Sequence, residues 1–249
     1  MRSRSFGSIA EAYDRYRPGP PHEAVRWVLS GSVGTALDLG AGTGALARTV
    51  RELGARVLAV EPDPRMLEVL VARSPGVSAV RGVGEALPVA AGCMDAVVVS
   101  SAWHWMDPDR AVPEVARVLR PGGTFGALWN GPDREVAWVA ELFPRVAADG
   151  SVDSPPSEGP RARPRHVMRL APGDAFGPPS MCAIGWTRPM TADDLVGLAG
   201  TYSGVITMAA SERERWMAAV GAVAARLTDG GERVMELPMR CRCWRAVRR

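Results

Sequence analysis

The chain has 249 residues, 47% of them hydrophobic, enough to bury a substantial core as one large α/β domain or a domain with a small cap, and this excludes global disorder. Its formal net charge is only +3, and all 30 basic residues are arginine. With no long cationic face interleaved with aromatics, charge implies no nucleic-acid partner.

The N-terminus, Met-Arg-Ser-Arg-Ser-Phe-Gly, lacks an apolar signal region, and no stretch approaches the length needed to span a bilayer. The expectation is a soluble cytoplasmic protein with no membrane partner. Cys93, Cys182, Cys241 and Cys243 have neither C-x-x-C spacing nor a histidine cluster nearby, so no metal site or disulfide framework is implied. Cys241 and Cys243 would share one face of a strand as small buried apolar side chains.

In chain order, Ile9 to Tyr16 predicts a short helix ended by Pro18 to Pro21, and His22 to Leu29 a second. Strands are expected at Thr35 to Leu39, Arg56 to Glu61, Val77 to Arg81, Met94 to Ser100 and Gly123 to Trp129. Helices near Ala45 to Leu53, Met66 to Ala72 and Asp109 to Leu119 fall between them. This alternation implies a mostly parallel sheet with helices on both faces, and ligands at the carboxyl ends of the strands.

After Trp138 the rhythm changes. Residues 151–180 are crowded with Pro, Gly, Ser and Arg, including Arg161, Arg163, Arg165 and Arg169 around His166. They read as a solvated loop, or as a lid whose cations meet an acidic substrate. A strand is expected at Met181 to Trp186, then a helix with Thr191 and Asp194 spaced as a capping box, and another opening at Ser211 with Glu214 in the same relation. That helix should stop at Asp229-Gly230-Gly231, and Met235 to Val247 reads as a last strand. There is no internal repeat.

Chemistry concentrates at Ala-Leu-Asp38-Leu-Gly40-Ala41-Gly42-Thr-Gly44, where an apolar run meets alternating glycines and a helix follows. Glycines admit positive φ and let a ligand approach the backbone, while the helix aims unpaired N–H groups at an anion. Gly40, Gly42 and Ala45 also satisfy a dinucleotide fingerprint, with Glu61 at a ribose-gripping distance. Asp38 separates the two readings. A carboxylate beside the loop repels a pyrophosphate but suits a ligand carrying an ammonium, such as the methionyl end of S-adenosylmethionine. Glu61 can accept hydrogen bonds from both ribose hydroxyls, with Pro62 and Met66 placed to pack on sugar and base.

These motifs, with Gly82-Val-Gly84-Glu85-Ala-Leu-Pro88 before Met94-Asp-Ala-Val-Val98, resemble class I S-adenosylmethionine-dependent methyltransferases of the type 11 small-molecule branch, and most of all its trans-aconitate methyltransferase-like members. The resemblance covers nearly the whole chain. Phe6 to Pro18 looks like the cofactor-covering N-terminal segment, placed within residues 1–30. Ser100-Ser101-Ala-Trp103-His104-Trp105 looks like the fourth-strand motif, Arg117 to Gly123 the turn into the fifth strand followed by Trp129-Asn130, and Glu236 to Arg245 the final strand.

The resemblance implies a Rossmann-like α/β fold with a seven-stranded sheet in a single domain over residues 1–249, with a small cap from the N-terminus and late helices. It implies S-adenosylmethionine as cofactor and S-adenosylhomocysteine as product. Cofactor contacts fall on Asp38, Gly40, Ala41, Gly42, Glu61, Pro62, Met66, Gly84, Glu85 and Ser101. Val83 departs from the family pattern, which often has a polar residue there, leaving adenine to backbone groups and Glu85.

Methyl transfer asks the protein mainly to align a nucleophile and exclude water. His104 could serve as a base toward a hydroxyl or amine, or be a histidine packed between tryptophans; Tyr13 is the second catalytic candidate. Tyr13, Trp103, Trp105, Trp129 and Tyr202 read as an aromatic wall, with Asn130 beside it, although each tryptophan alone is more often core than cage. Arg15 and Arg17 read as solvated or capping, or as contacts to a carboxylate. The expected activity is O-methylation of a carboxylate or hydroxyl on a small molecule or peptide, in specialised metabolism. A dinucleotide oxidoreductase and a non-catalytic binding protein are the alternatives.

Overall fold

The structure, a computed structural model, describes residues 6–143, 168, 170, 175–231 and 233–249. Most of the Pro- and Arg-rich stretch, including Arg161, Arg163, Arg165, His166 and Arg169, lies outside them. The chain divides into two compact units: described residues 18–130, 168, 170, 175–184 and 241–249 form one, and residues 6–17, 131–143 and 185–240 the other. Phe6–Arg17 and the segment from Pro18 onward, read from sequence as one piece, therefore belong to different units.

The seven strands are β1 (Thr35–Leu39), β2 (Arg56–Glu61), β3 (Ser78–Arg81), β4 (Met94–Ser100), β5 (Leu119–Pro132), β6 (Ser180–Met190) and β7 (Met235–Val247). They form one sheet in the order β3-β2-β1-β4-β5-β7-β6. The first five in that order run parallel, with Asp38 opposite Ala59 on β2 and Val98 on β4. β7 is antiparallel to β5: the Gly122 N–H donates to the Arg248 carbonyl, and the Asp133 N–H to the Pro238 carbonyl.

Strands covered on both faces need apolar side chains at odd and even positions alike, which is why β1 and β4 read as continuous runs. Leu37, Leu39, Val97, Val99 and Phe125 pack on one face against Val112 and Val115 of α5 (Pro108–Val118). Ala36, Ala96, Val98 and Leu128 pack on the other, against α2 (His22–Leu29) and α3 (Ala45–Glu52). At Gly126 the approach of α2 is so close that a Cβ would lie 1.8 Å from Val28 Cγ1. Period-two alternation puts Asp38 on the same face as Ala36, toward α3.

α4 (Pro64–Arg73) starts two residues before the expected Met66, because Asp63 caps it, accepting from the Arg65 N–H at 3.0 Å, with Pro64 as first residue. Asp107 and Pro108 open α5 in the same way.

The other unit holds α1 (Ala10–Tyr16), α6 (Ala137–Leu142), α7 (Ala192–Gly200), α8 (Ser203–Ile206) and α9 (Ala210–Leu227). Its core gathers Val139, Leu142, Phe143, Leu195, Leu198, Val220 and Leu237. The Thr191–Asp194 capping box is formed: the Thr191 hydroxyl accepts from the Asp194 N–H at 3.2 Å, and the Asp194 carboxylate accepts from the Thr191 N–H at 3.1 Å. The box expected at Ser211 and Glu214 is not. α9 begins at Ala210 behind an uncapped Ala209, so Ser211 already lies within the first turn and its hydroxyl is out of place for capping.

All four cysteines are free, with Cys241 and Cys243 buried and their sulfurs 3.9 Å apart. Among the described residues no His/Cys/Asp/Glu group is arranged to hold a metal, and no helix is long and apolar enough to cross a membrane.

Candidate cofactor and active site

The glycine loop joins β1 to α3 at the carboxyl edge of the sheet. Gly40 (φ 66°) and Gly42 (φ 56°) occupy the left-handed region that side chains resist. The amides of Gly40 and Ala41 both donate to the Val60 carbonyl, at 2.8 and 3.2 Å, pinning the loop to the end of β2. The two glycines serve different ends. A Cβ on Gly40 would meet Ala102 Cβ at 2.7 Å, whereas one on Gly42 would have nothing within 4 Å. Packing therefore requires the first glycine, and open space lies over the second.

Glu61, at the end of β2, is buried and holds the loop from below. Its Oε2 accepts the Gly42 N–H at 2.9 Å and its Oε1 the Asp63 N–H at 2.9 Å. Burial raises its pKa, the Asp63 and Gly42 amides oppose that, and the Asp63 charge adds to it. A carboxylate offers about four acceptor positions, so further acceptor capacity remains on both oxygens.

Asp38 is the most unusual group in this unit. It is 1% exposed, and neither carboxylate oxygen has a hydrogen-bond partner. Burial pushes its pKa from 3.8 to about 8; the Ala47 amide of α3, which closes no hydrogen bond, lowers it, the Glu61 charge raises it, and Arg48 lowers it. A buried carboxylate without a partner is strongly disfavoured in a folded protein. An ammonium-bearing ligand over the open space at Gly42 would supply what Asp38 lacks.

Around this loop, Pro62 is half-buried and Met66 is buried in α4. Gly84 is buried against Met106, and the Glu85 carboxylate accepts the Asp107 N–H at 2.8 Å, tying the loop after β3 to the start of α5. Ser101 (φ 55°) closes β4 with its N–H on the Leu128 carbonyl at 2.9 Å.

Residues 37–127 match a family described as a methyltransferase domain. An uncharacterized methyltransferase of Mycobacterium tuberculosis is 41% identical over 213 residues, 86% of this chain and 82% of that one. The chain belongs to the S-adenosylmethionine-dependent methyltransferases. A methyltransferase-like protein of Schizosaccharomyces pombe is 28% identical over 226 residues, 89% of this chain and 86% of that one. A solved protein of Anaeromyxobacter dehalogenans, assigned as a type II methyltransferase, superposes with a TM-score of 0.62 at 28% identity, covering 94% of this chain and 98% of its own. Membership removes the dinucleotide oxidoreductase as a reading of the loop.

The remaining residues of this methyltransferase fall into separate sets. His104 and Trp105 are exposed on the turn after β4, their rings 4.5 Å apart. Trp103 is not part of a wall: it is 7% exposed and packs edge-on against Phe125 at 5.1 Å, because the third position beyond β4 turns back into the core. Trp129, 6% exposed, belongs to the same core. Asn130 donates its side-chain amide to the Pro18 and Gly19 carbonyls, at 3.1 and 3.0 Å, so it clamps the segment before α2.

In the helical unit, Tyr13 and Tyr202 meet about Arg17, whose guanidinium carbon lies 5.4 and 4.2 Å from their ring centroids. Arg15 instead lies 5.0 Å over Tyr16. The Glu61 bond to Gly42 and the Asn130 clamp leave no local pattern in the sequence, because they join residues distant in the chain. The Asp-Pro caps were readable in Asp63-Pro64 and Asp107-Pro108.

Proposed function

We propose that this methyltransferase binds S-adenosylmethionine across the Gly40–Gly44 loop and methylates an oxygen of a small molecule or peptide, a carboxylate being the leading acceptor. The observations that support the cofactor placement are the buried Asp38 carboxylate without a hydrogen-bond partner, two residues before Gly40, and the open space at Gly42. Asp38 would hold the methionyl ammonium, Glu61 the ribose hydroxyls, and the Gly84–Glu85 loop the adenine edge. Pro62, Met66 and Ser101 would line the pocket.

When bound, the cofactor supplies a sulfonium methyl group. The acceptor oxygen forms the new bond to that carbon as the carbon–sulfur bond breaks and its electron pair returns to sulfur. A carboxylate acceptor arrives ionised, whereas a hydroxyl must lose a proton, and the exposed His104 imidazole is the candidate to take it. The resemblance to trans-aconitate methyltransferase-like proteins favours the carboxylate. Trp105, whose ring lies 4.5 Å from that of His104, is the remaining candidate for contact with the acceptor.

The test is transfer of labelled methyl from S-adenosylmethionine to a panel of carboxylic acids, alcohols and amines, with products treated in mild base. A methyl ester releases labelled methanol, whereas ethers and methylamines retain the label. Label confined to nitrogen or carbon would refute oxygen as the acceptor.

A further inference from the structure

The turn after β4 carries two exposed rings, His104 and Trp105, between a buried Trp103 and a half-buried Met106. It is held at both ends and at its centre. The Ser101 N–H donates to the Leu128 carbonyl at 2.9 Å, Trp103 packs on Phe125 at 5.1 Å, and the Asp107 N–H donates to the Glu85 carboxylate at 2.8 Å. Within the turn, the Trp105 and Met106 amides donate to the Ala102 and Trp103 carbonyls, at 3.0 and 3.1 Å. Ser101, at φ 55°, occupies the left-handed region, which a residue with a side chain holds only where its surroundings dictate it.

Met106 is the residue through which this turn meets two loops at once. A Cβ on Gly84 would lie 2.7 Å from the Met106 Sδ and 3.5 Å from its Cγ, and one on Gly40 would lie 3.2 Å from its Cε. The sulfur therefore rests against the loop after β3 and the terminal methyl against the glycine loop. Gly40 is glycine for its positive φ, but Gly84 lies outside the left-handed region, and a Cβ there would have to displace Met106. An unbranched, polarizable thioether suits such an irregular gap between two surfaces. Ala102, on the same turn, meets Gly40 as well, so the glycine loop touches the turn at two residues. Gly40, Gly84 and the whole turn belong to one compact unit.

We propose that Met106 is a positioning residue for methyl transfer, bridging the glycine loop and the Gly84–Glu85 loop and through them fixing the turn that presents His104 and Trp105; the inference rests on the cofactor placement given above. Met106 acts through its neighbours and not on the reacting atoms. Cofactor binding orders the two loops, and the packed Met106 side chain carries that order into the turn, with the Asp107–Glu85 hydrogen bond acting in the same sense. Alignment matters because an in-line displacement tolerates little error: a displacement of about 1 Å slows such a reaction on the order of 100-fold.

The test compares the full wild-type chain with Met106→Ala and Met106→Leu, using S-adenosylhomocysteine as ligand. Hydrogen–deuterium exchange of residues 101–107 is followed by mass spectrometry with and without it, and calorimetry gives the affinity. In wild type, saturating ligand should slow exchange of the Trp105 and Met106 amides roughly fivefold or more, beyond any change in the amides of α5. Met106→Ala should lose that slowing while its affinity stays within about threefold of wild type, and Met106→Leu, which refills the space, should restore it. With an acceptor from the labelled-methyl panel, Met106→Ala should lower kcat roughly tenfold or more and leave the KM for S-adenosylmethionine within about threefold. Should Met106→Ala fail to fold, Met106→Val, whose side chain ends short of the sulfur, takes its place. The proposal is overturned if the shortened variant keeps the slowing, if Met106→Leu does not restore it, or if wild type binds the ligand without slowing. A loss of affinity beyond about threefold in the shortened variant also overturns it, because Met106 then belongs to the cofactor site itself. Wild type that binds no S-adenosylhomocysteine removes the cofactor placement and the coupling built on it.

Discussion

Replacing Asp38 by asparagine should change how stability and cofactor affinity respond to pH. Burial lifts the Asp38 pKa from 3.8 to about 8. Between those values the folded protein holds a proton that the unfolded chain has released, so stability falls as pH rises, by ~1.4 kcal/mol per unit, and levels off above about 8. From pH 5 to pH 7 the loss attributable to Asp38 is about 3 kcal/mol. The side-chain amide introduced by Asp38→Asn cannot titrate, so the difference in unfolding free energy between variant and wild type should swing toward the variant by that amount across the interval. Denaturant unfolding of both proteins at half-unit steps from pH 5 to 9 measures it. A cofactor ammonium paired with Asp38 requires the ionised form. Affinity for S-adenosylhomocysteine should therefore rise with pH up to about 8, by as much as tenfold per unit, and calorimetry in buffers of different ionisation enthalpy should record release of about one proton at pH 7. Parallel stability curves for the two proteins would refute the assignment of the titration to Asp38, and pH-independent binding by wild type would refute the ammonium contact.

Gly42→Ala should fold, with a left-handed backbone penalty of about 1–2 kcal/mol, yet lose most S-adenosylhomocysteine binding, because its methyl enters the open space over the loop; wild-type affinity by calorimetry would make the loop a mere turn. Glu61→Ala should lower stability by about 1–3 kcal/mol by leaving the Gly42 and Asp63 amides unpaired, and should weaken the cofactor as well. An unchanged melting transition would contradict that bonding pattern. His104→Ala should slow a hydroxyl acceptor roughly 100-fold and abolish a pH dependence near neutrality, but slow a carboxylate acceptor only modestly at every pH; undiminished turnover of the true substrate across the range would exclude His104 from both roles. Gly126→Ala should destabilise by about 1–3 kcal/mol, since the new Cβ can be accommodated only by displacing α2 at Val28, and a thermal transition equal to wild type would mean that α2 yields freely.

Much of this protein was legible along the chain. β1, β2 and β4 occur at the expected residues because each is a continuous apolar run bounded by turn residues, a signal carried by neighbours in sequence. The Gly40–Gly44 loop was legible for the same reason, since positive φ restricts a position to glycine whatever surrounds it. The Thr191 cap formed and the Ser211 cap did not, although their local patterns match, because packing set where each helix begins.

Tertiary structure decided the charges and the roles. Asp38 can be placed near the loop from sequence, but its missing partner and raised pKa arise from α3 packing over β1, a contact between elements that local pattern does not encode. Trp103 and Trp105 have the same composition and nearly the same neighbours, yet one is core and the other exposed, because a single 3-10 turn sends their side chains in different directions. Arg17 and Thr201, 184 residues apart, come together only through the packing of α1 against α7. Periodicity and glycine placement are written locally and can be read locally; burial of a charge, and the partner it lacks, belong to residues that only the folded chain makes neighbours.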